Sequence, residues 1–158
     1  MLDKCRHLIF GSSCCIAKSI YLRYHASMHV ITIDPKTVFQ ALADPIRIRM
    51  VRLLFVSAEE ACLCELVDSL LEEEYKLSRH MKHLKTAGIV SVRRAGRWVY
   101  HRLSDEPAYL QELFGVLNSL PDEKSVFTND LDRFHQRMKL RRAGRCQLGI
   151  QAKHLSNS

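Results

Sequence analysis

The chain has 158 residues, 47% of them hydrophobic and 26% charged, with 24 Lys/Arg set against 17 Asp/Glu. That balance fits one globular domain with tails and excludes collagenous, low-complexity and acidic disordered chains. The six Cys, in a chain long enough to build its own core, exclude a small disulfide scaffold. Reduced thiols in the cytoplasm are therefore expected, and no apolar run approaches transmembrane length.

Residues 1–27 show no helical or strand period and read as a disordered lead holding Cys5, Cys14 and Cys15, with Met28 as an alternative start of a coherent domain. Asp34-Pro35 is an N-cap and first-turn pair for a short helix with Val38, Phe39 and Leu42 on its apolar face. Asp44-Pro45 restarts a helix lined by Ile46, Met50, Leu53 and Leu54. A third helix is expected from about Cys62 to Leu71, its stripe formed by Leu63, Leu66, Val67 and Leu70. The fourth is expected from about Tyr75 to Thr86, with Leu77, Met81 and Leu84 inward and Ala87-Gly88 as its stop. Ile89–Arg93 and Arg97–Leu103 are β-rich runs joined by Arg94-Ala95-Gly96, a hairpin. A long helix follows from near Glu106-Pro107, its seam made of Leu110, Leu113, Phe114 and Leu117, until Pro121 breaks it. Beyond Asn129 a further helical pattern ends at Gly144 in a basic tail. The expected organisation is a domain over 28–120 and an extension over 121–158, with Arg137, Lys139, Arg141, Arg142 and Arg145 as solvated charge.

Charge is sharply segregated along this order. Glu59 to Glu74 holds seven carboxylates and no Lys or Arg, whereas Tyr75 to Ser104 holds eight Lys/Arg and no carboxylate. A basic unit of that kind is an electrostatic footprint for a polyanion. Helix, acidic turn, helix and two-stranded wing is the order of a winged helix-turn-helix, mainly α with a small β-hairpin. On a helical wheel Tyr75, Arg79, Lys82 and Thr86 lie opposite the buried stripe, facing a major groove. Ser78, Lys85, Lys76 and His83 flank that face for phosphate contacts, and Arg93, Arg94 and Arg97 would reach the backbone or minor groove from the wing. Arg79 is the candidate for bidentate guanine readout. His80 and His101 read as phosphate-side or packing residues.

Within this frame, FQALADPIRIRMVRLL from Phe39, then CLCEL, YKLSRHMKHLKTAGIV and RRAGRWVYHRL, resembles the ArsR/SmtB family of bacterial metal-responsive repressors over roughly Val38 to Leu120. The resemblance implies a homodimer joined by the first helix and the long helix after Glu106, through Val38, Phe39, Leu110, Leu113, Phe114 and Leu117. It also implies a repressor that leaves operator DNA when a metal or metalloid binds.

Thiolates are soft ligands, so Cys62-Leu63-Cys64 points to As(III), Sb(III), Cd, Pb or Cu(I), with Zn also in the set. On a regular helix, residues two apart point about 200° away from each other. Both sulfurs are thus expected to grip one ion only if the first turn unwinds, and that distortion would shift the recognition helix. Cys62-Leu63-Cys64-Glu65-Leu66 is similar to the run used in the arsenic-responsive branch, which implies As(III) or Sb(III) as inducer. Some members of that branch carry a third Cys where this chain has Val67, so Cys146, the Cys14-Cys15 pair or a solvent thiol could complete the site. Use of Cys14 and Cys15 would resemble the cadmium/lead-responsive branch instead. The zinc site on the last helix in other members needs Asp-x-His, which Asp105-Glu106-Pro107 lacks. Taken alone, Cys146 reads as a plain tail thiol. No oxyanion-binding loop accompanies the thiols and the carboxylates that follow oppose a low-pKa thiolate, so an enzyme is not expected.

Overall fold

The computed structural model of the chain describes residues 33–151. The lead over residues 1–27, with Cys5, Cys14 and Cys15, lies outside the described residues. Six helices and three short strands follow in the order α1 (Pro35–Leu42), α2 (Pro45–Ser57), β1 (Ala61–Cys62), α3 (Leu63–Leu70), α4 (Glu74–Thr86), β2 (Val90–Ala95), β3 (Trp98–Leu103), α5 (Tyr109–Asn118) and α6 (Val126–Met138). Among the described residues no helix is long and apolar enough to cross a membrane.

The first two helices start where the sequence places their caps. Asp34 Oδ1 accepts from the Lys36 N–H at 3.2 Å, and Asp44 Oδ1 accepts from Ile46 and Arg47 at 2.9 and 3.2 Å, each cap followed by a Pro that needs no partner. Left-handed Ala58 and Leu71 end α2 and α3. The wing is the hairpin β2–β3, with Val90 opposite Leu103 and Ala95 opposite Trp98. Its turn is thus the two residues Gly96 and Arg97, shorter than the expected Arg94-Ala95-Gly96 link, and Gly96 supplies the positive φ of 60°. After α4, Gly88 sits at φ +73°, a dihedral that demands Gly, and an added Cβ would also have to displace the end of the Ile33 side chain 2.5 Å away.

A short strand that the sequence pattern hides changes the picture. β1 pairs antiparallel with β3, with Ala61 opposite His101 and Cys62 opposite Tyr100, so the sheet order is β1-β3-β2. Cys62 is therefore the extended N-cap of α3 (φ −82°, ψ 160°), not a residue of its first turn.

One core runs through the helices, with Val38, Met50, Val51, Leu66, Leu77, Leu84, Ile89, Leu110, Phe114 and Phe134 all essentially inaccessible. From Cys64 to Leu70 every residue of α3 is buried, including Glu65, Asp68 and Ser69, because α6 covers the side that α2 and α4 leave open. A helix enclosed all round must have its polar groups paired. Arginines one turn apart on α6 and just beyond it do this. Arg133 Nε donates to Ser69 O at 2.6 Å, Arg137 Nε to Asp68 Oδ2 at 2.5 Å, and Arg141 Nε and Nη2 to the two Glu65 carboxylate oxygens at 2.8 Å. The expected solvated tail is thus corrected: Arg137 and Arg141 neutralise buried acids of α3 and hold the chain after Met138 against the body. An Arg49–Asp130 pair, at 2.8 Å through both nitrogens, ties α2 to the same helix.

Candidate metal centre and nucleic-acid interface

Cys62, Cys64 and Cys146 come together as three free, buried thiols whose sulfurs all lie within 4.8 Å of one another. Cys62 and Cys64 are 2.8 Å apart at sulfur, and Cys64 and Cys146 are 3.6 Å apart. The expectation that wound α3 keeps the first two sulfurs on opposite sides is therefore overturned. Its geometry applies only inside a helix, and Cys62 lies just before one, so extended backbone swings its side chain onto that of Cys64. Cys146 arrives from the far end of the chain. After α6 the backbone turns back through left-handed Ala143 and Gly144 and a bridge between Arg142 and Arg145. The Cys146 N–H then donates to Tyr100 Oη at 2.8 Å, which fixes the thiol over β3.

The surroundings tune these sulfurs. The bond to the Cys62 thiol, with help from Cys146 and the Arg137 charge, overcomes burial and brings the Cys64 thiol down to about 7. Cys62, as donor of that bond and buried as well, is pushed well up, and burial raises Cys146. Cys64 is thus the most acidic of the three thiols. Burial would raise the Glu65 carboxyl, but Arg141 and the Cys62 N–H, which donates to it at 2.9 Å, hold it below the ordinary range.

The residues expected at DNA occupy one exposed side. Tyr75, Lys76, Ser78, Arg79, Lys82 and His83 all lie on the open face of α4, and Leu77, Met81 and Leu84 are buried beneath them. Tyr75 is 71% exposed, with the Arg79 guanidinium 5.7 Å from its ring centre. At the wing Arg94 is exposed, Arg97 is exposed but donates to Gln147 O at 3.3 Å and lies 4.7 Å from the Trp98 ring centre, and Arg93 is tied back to Glu60 by an ion pair and lies over the Tyr100 ring at 5.0 Å. His80 sits under α4 between Asp44 and Arg47, and His101 Nδ1 lies 3.2 Å from Ala61 O inside the sheet.

The expected dimer seam separates into two groups. Val38, Leu110, Phe114 and Leu117 are spent in this chain's own core, with Phe114 against Phe55 at 6.0 Å between ring centres, and Leu113 is half-buried. Phe39, 61% exposed, remains available, and Val116, not singled out from the sequence, joins it at 60%. Beyond this, the sequence reading missed Tyr100, Arg137 and Glu65 at the thiol site. The one signal for them was the complementarity of the acidic block before α4 and the basic block at the C-terminal end.

A model described as "Bacterial regulatory protein, arsR family" matches residues 44–92, from the cap of α2 into β2. The chain is 41% identical over 85 residues to the arsenic resistance transcriptional regulator ArsR2 of Pseudomonas putida, across 53% of this chain and 73% of that protein. To ArsR1 of the same organism it is 46% identical over 74 residues, 47% of this chain and 57% of that one. To the arsenical resistance operon repressor of Escherichia coli it is 36% identical over 80 residues, 50% of this chain and 68% of that one.

Proposed function

Because this chain belongs to the arsR family of bacterial regulatory proteins, we propose that it is a metalloid-responsive transcriptional repressor. It binds operator DNA as a homodimer and is released when As(III) or Sb(III) is held by Cys62, Cys64 and Cys146. The observation that carries this reading is the meeting of three buried sulfurs from two distant stretches of chain. A donor set of three thiols, with neither carboxylate nor imidazole in it, suits a thiophilic guest and serves hard cations poorly. Arsenite and antimonite arrive as neutral trihydroxides, and exchange of three hydroxyls for three thiols gives three waters and adds no charge to the buried pocket.

Release follows from what the three sulfurs are attached to. Cys62 lies on β1, hydrogen-bonded to the wing strand β3; Cys64 opens α3, which leads through the Leu71 turn into α4; and Cys146 hangs from Tyr100 on β3. Closing the sulfurs on one guest pulls the wing and the helix pair together, with no need to unwind α3. A hundredfold loss of operator affinity asks for about 2.7 kcal/mol of coupling, less than metal–thiolate bonding supplies. On DNA, Arg79 reads guanine, Tyr75, Lys76, Ser78, Lys82 and His83 set register on α4, and Arg94 and Arg97 lead Arg93 at the wing.

The test is arsenite-driven release from the operator. Cys62→Ser and Cys64→Ser should each abolish it, and Cys146→Ser should raise the arsenite needed by about tenfold or more, all with operator affinity in the free state retained. Replacing Cys14 and Cys15 with Ser should change nothing. Loss of response in that pair, with Cys146→Ser unaffected, would transfer the third ligand to the N-terminal thiols and favour a cadmium/lead-type sensor.

A further inference from the structure

Arg137 has no exposed surface and stands beside the thiol triad without being part of it. Its Nε is spent on Asp68, and its Nη2 donates to Leu148 O at 2.8 Å and Gly149 O at 3.0 Å. Those two carbonyls use both hydrogens of Nη2. The same nitrogen lies 3.7 Å from the Cys146 sulfur and 4.0 Å from that of Cys64, so the sulfurs meet it as charge. Nη1 is buried with no partner. The guanidinium thus lays its charge against two sulfurs and keeps one nitrogen unpaired in the interior, an arrangement that favours an anion there.

Glu65 and Asp68 are each answered by an arginine, Arg141 and Arg137, so the site carries no net charge of its own, and of the Asp68–Arg137 pair it is the guanidinium that lies against the sulfurs. The charge a guest brings therefore decides the balance. A trivalent trihydroxide that loses three waters leaves the cluster neutral, as above. A divalent thiophilic cation releases three thiol protons and brings two positive charges, so its tris-thiolate carries one net negative charge. Buried charge is tolerated only with a counter-charge at hand.

Building on the triad reading, we propose that Arg137 is a specificity-determining residue: it supplies the counter-charge for a divalent thiophilic cation and contributes little to a trivalent metalloid. Through it, one set of three thiols serves two charge classes of guest.

The test uses full-length reduced protein carrying Cys5→Ser, Cys14→Ser and Cys15→Ser, titrated without oxygen with cadmium and with antimonite while sulfur-to-metal absorbance is followed. Arg137→Met combined with Asp68→Asn removes the pair and leaves no lone charge. It should weaken cadmium by about tenfold or more and move antimonite by less than about threefold. Asp68→Asn alone frees the guanidinium of its counter-ion and should shift the ratio toward cadmium, which keeps the test decisive if the double variant does not fold. A purely structural role for Arg137 would weaken both ligands alike. That result, an unchanged ratio in Asp68→Asn, or a starting protein that takes antimonite but not cadmium would overturn the proposal. A starting protein that fails to take antimonite would instead overturn the triad itself.

Discussion

Glu65 joins three jobs in one carboxylate: it accepts the Cys62 N–H at the start of α3, pairs with Arg141, and faces the sulfur cluster with its charge already answered. Its pKa is depressed on folding, so the stability it contributes is present above the ordinary carboxylate value of 4.5 and is lost as pH falls through the lower folded value. Urea unfolding followed from pH 7 downward should therefore show a loss below about 4.5 that is smaller in Glu65→Gln. At neutral pH that variant should be weaker by on the order of 3 kcal/mol, because Arg141 loses its buried anion and keeps only the exposed Glu59 at 3.7 Å. At this scale the thiols were only half legible. Cys-x-Cys announces a soft-metal site, but a helical wheel cannot say that Cys62 is a cap in extended backbone. Cys146, 82 residues from Cys64, has no local pattern to mark its destination.

The helix-turn-helix and the wing were the legible elements, because their signals are local: an apolar stripe every three or four residues on α4, and a glycine between two β-rich runs. For the same reason their roles separate cleanly. Arg79→Ala should remove preference among operator variants, by about 1–3 kcal/mol against a changed guanine, with sedimentation unchanged; an unaltered footprint would take Arg79 out of the reading set. Arg94→Ala with Arg97→Ala should weaken all sequences alike and lower the slope of log affinity against log salt by about 2. α6 was the illegible element. Arg137 on it and Arg141 just beyond look like solvent-facing charge when read alone, and only the acids they neutralise, more than sixty residues earlier in the chain, explain them. Burial of unpaired acids on α3 would have been costly, which gives the two opposite charge blocks of the sequence a single physical reason.

In the whole molecule, Tyr109 Oη donates to Ile33 O at 3.3 Å and links the starts of α5 and α1, the helices that carry exposed Phe39 and Val116. Apolar side chains left in water on two linked helices fit the isologous contact of a two-fold dimer. Phe39→Glu with Val116→Glu should give a monomer by sedimentation, with the unfolding free energy intrinsic to the chain changed by no more than about 0.5 kcal/mol. Operator affinity should fall about a hundredfold, since one half-site then binds alone. A variant that remains dimeric would move the interface elsewhere.

The pairwise cancellation around the sulfurs has a consequence for where the induced protein goes. Under the proposed function, an uncharged guest alters none of the lysines and arginines that displace counterions from a duplex, so operator recognition should be lost while nonspecific adhesion to DNA persists. On that reading the loaded protein should remain on nearby DNA, seen as nonspecific duplex binding that survives arsenite. Rebinding of the operator after the guest is removed should then be faster than a first encounter from solution, because a short slide along the duplex replaces a three-dimensional search.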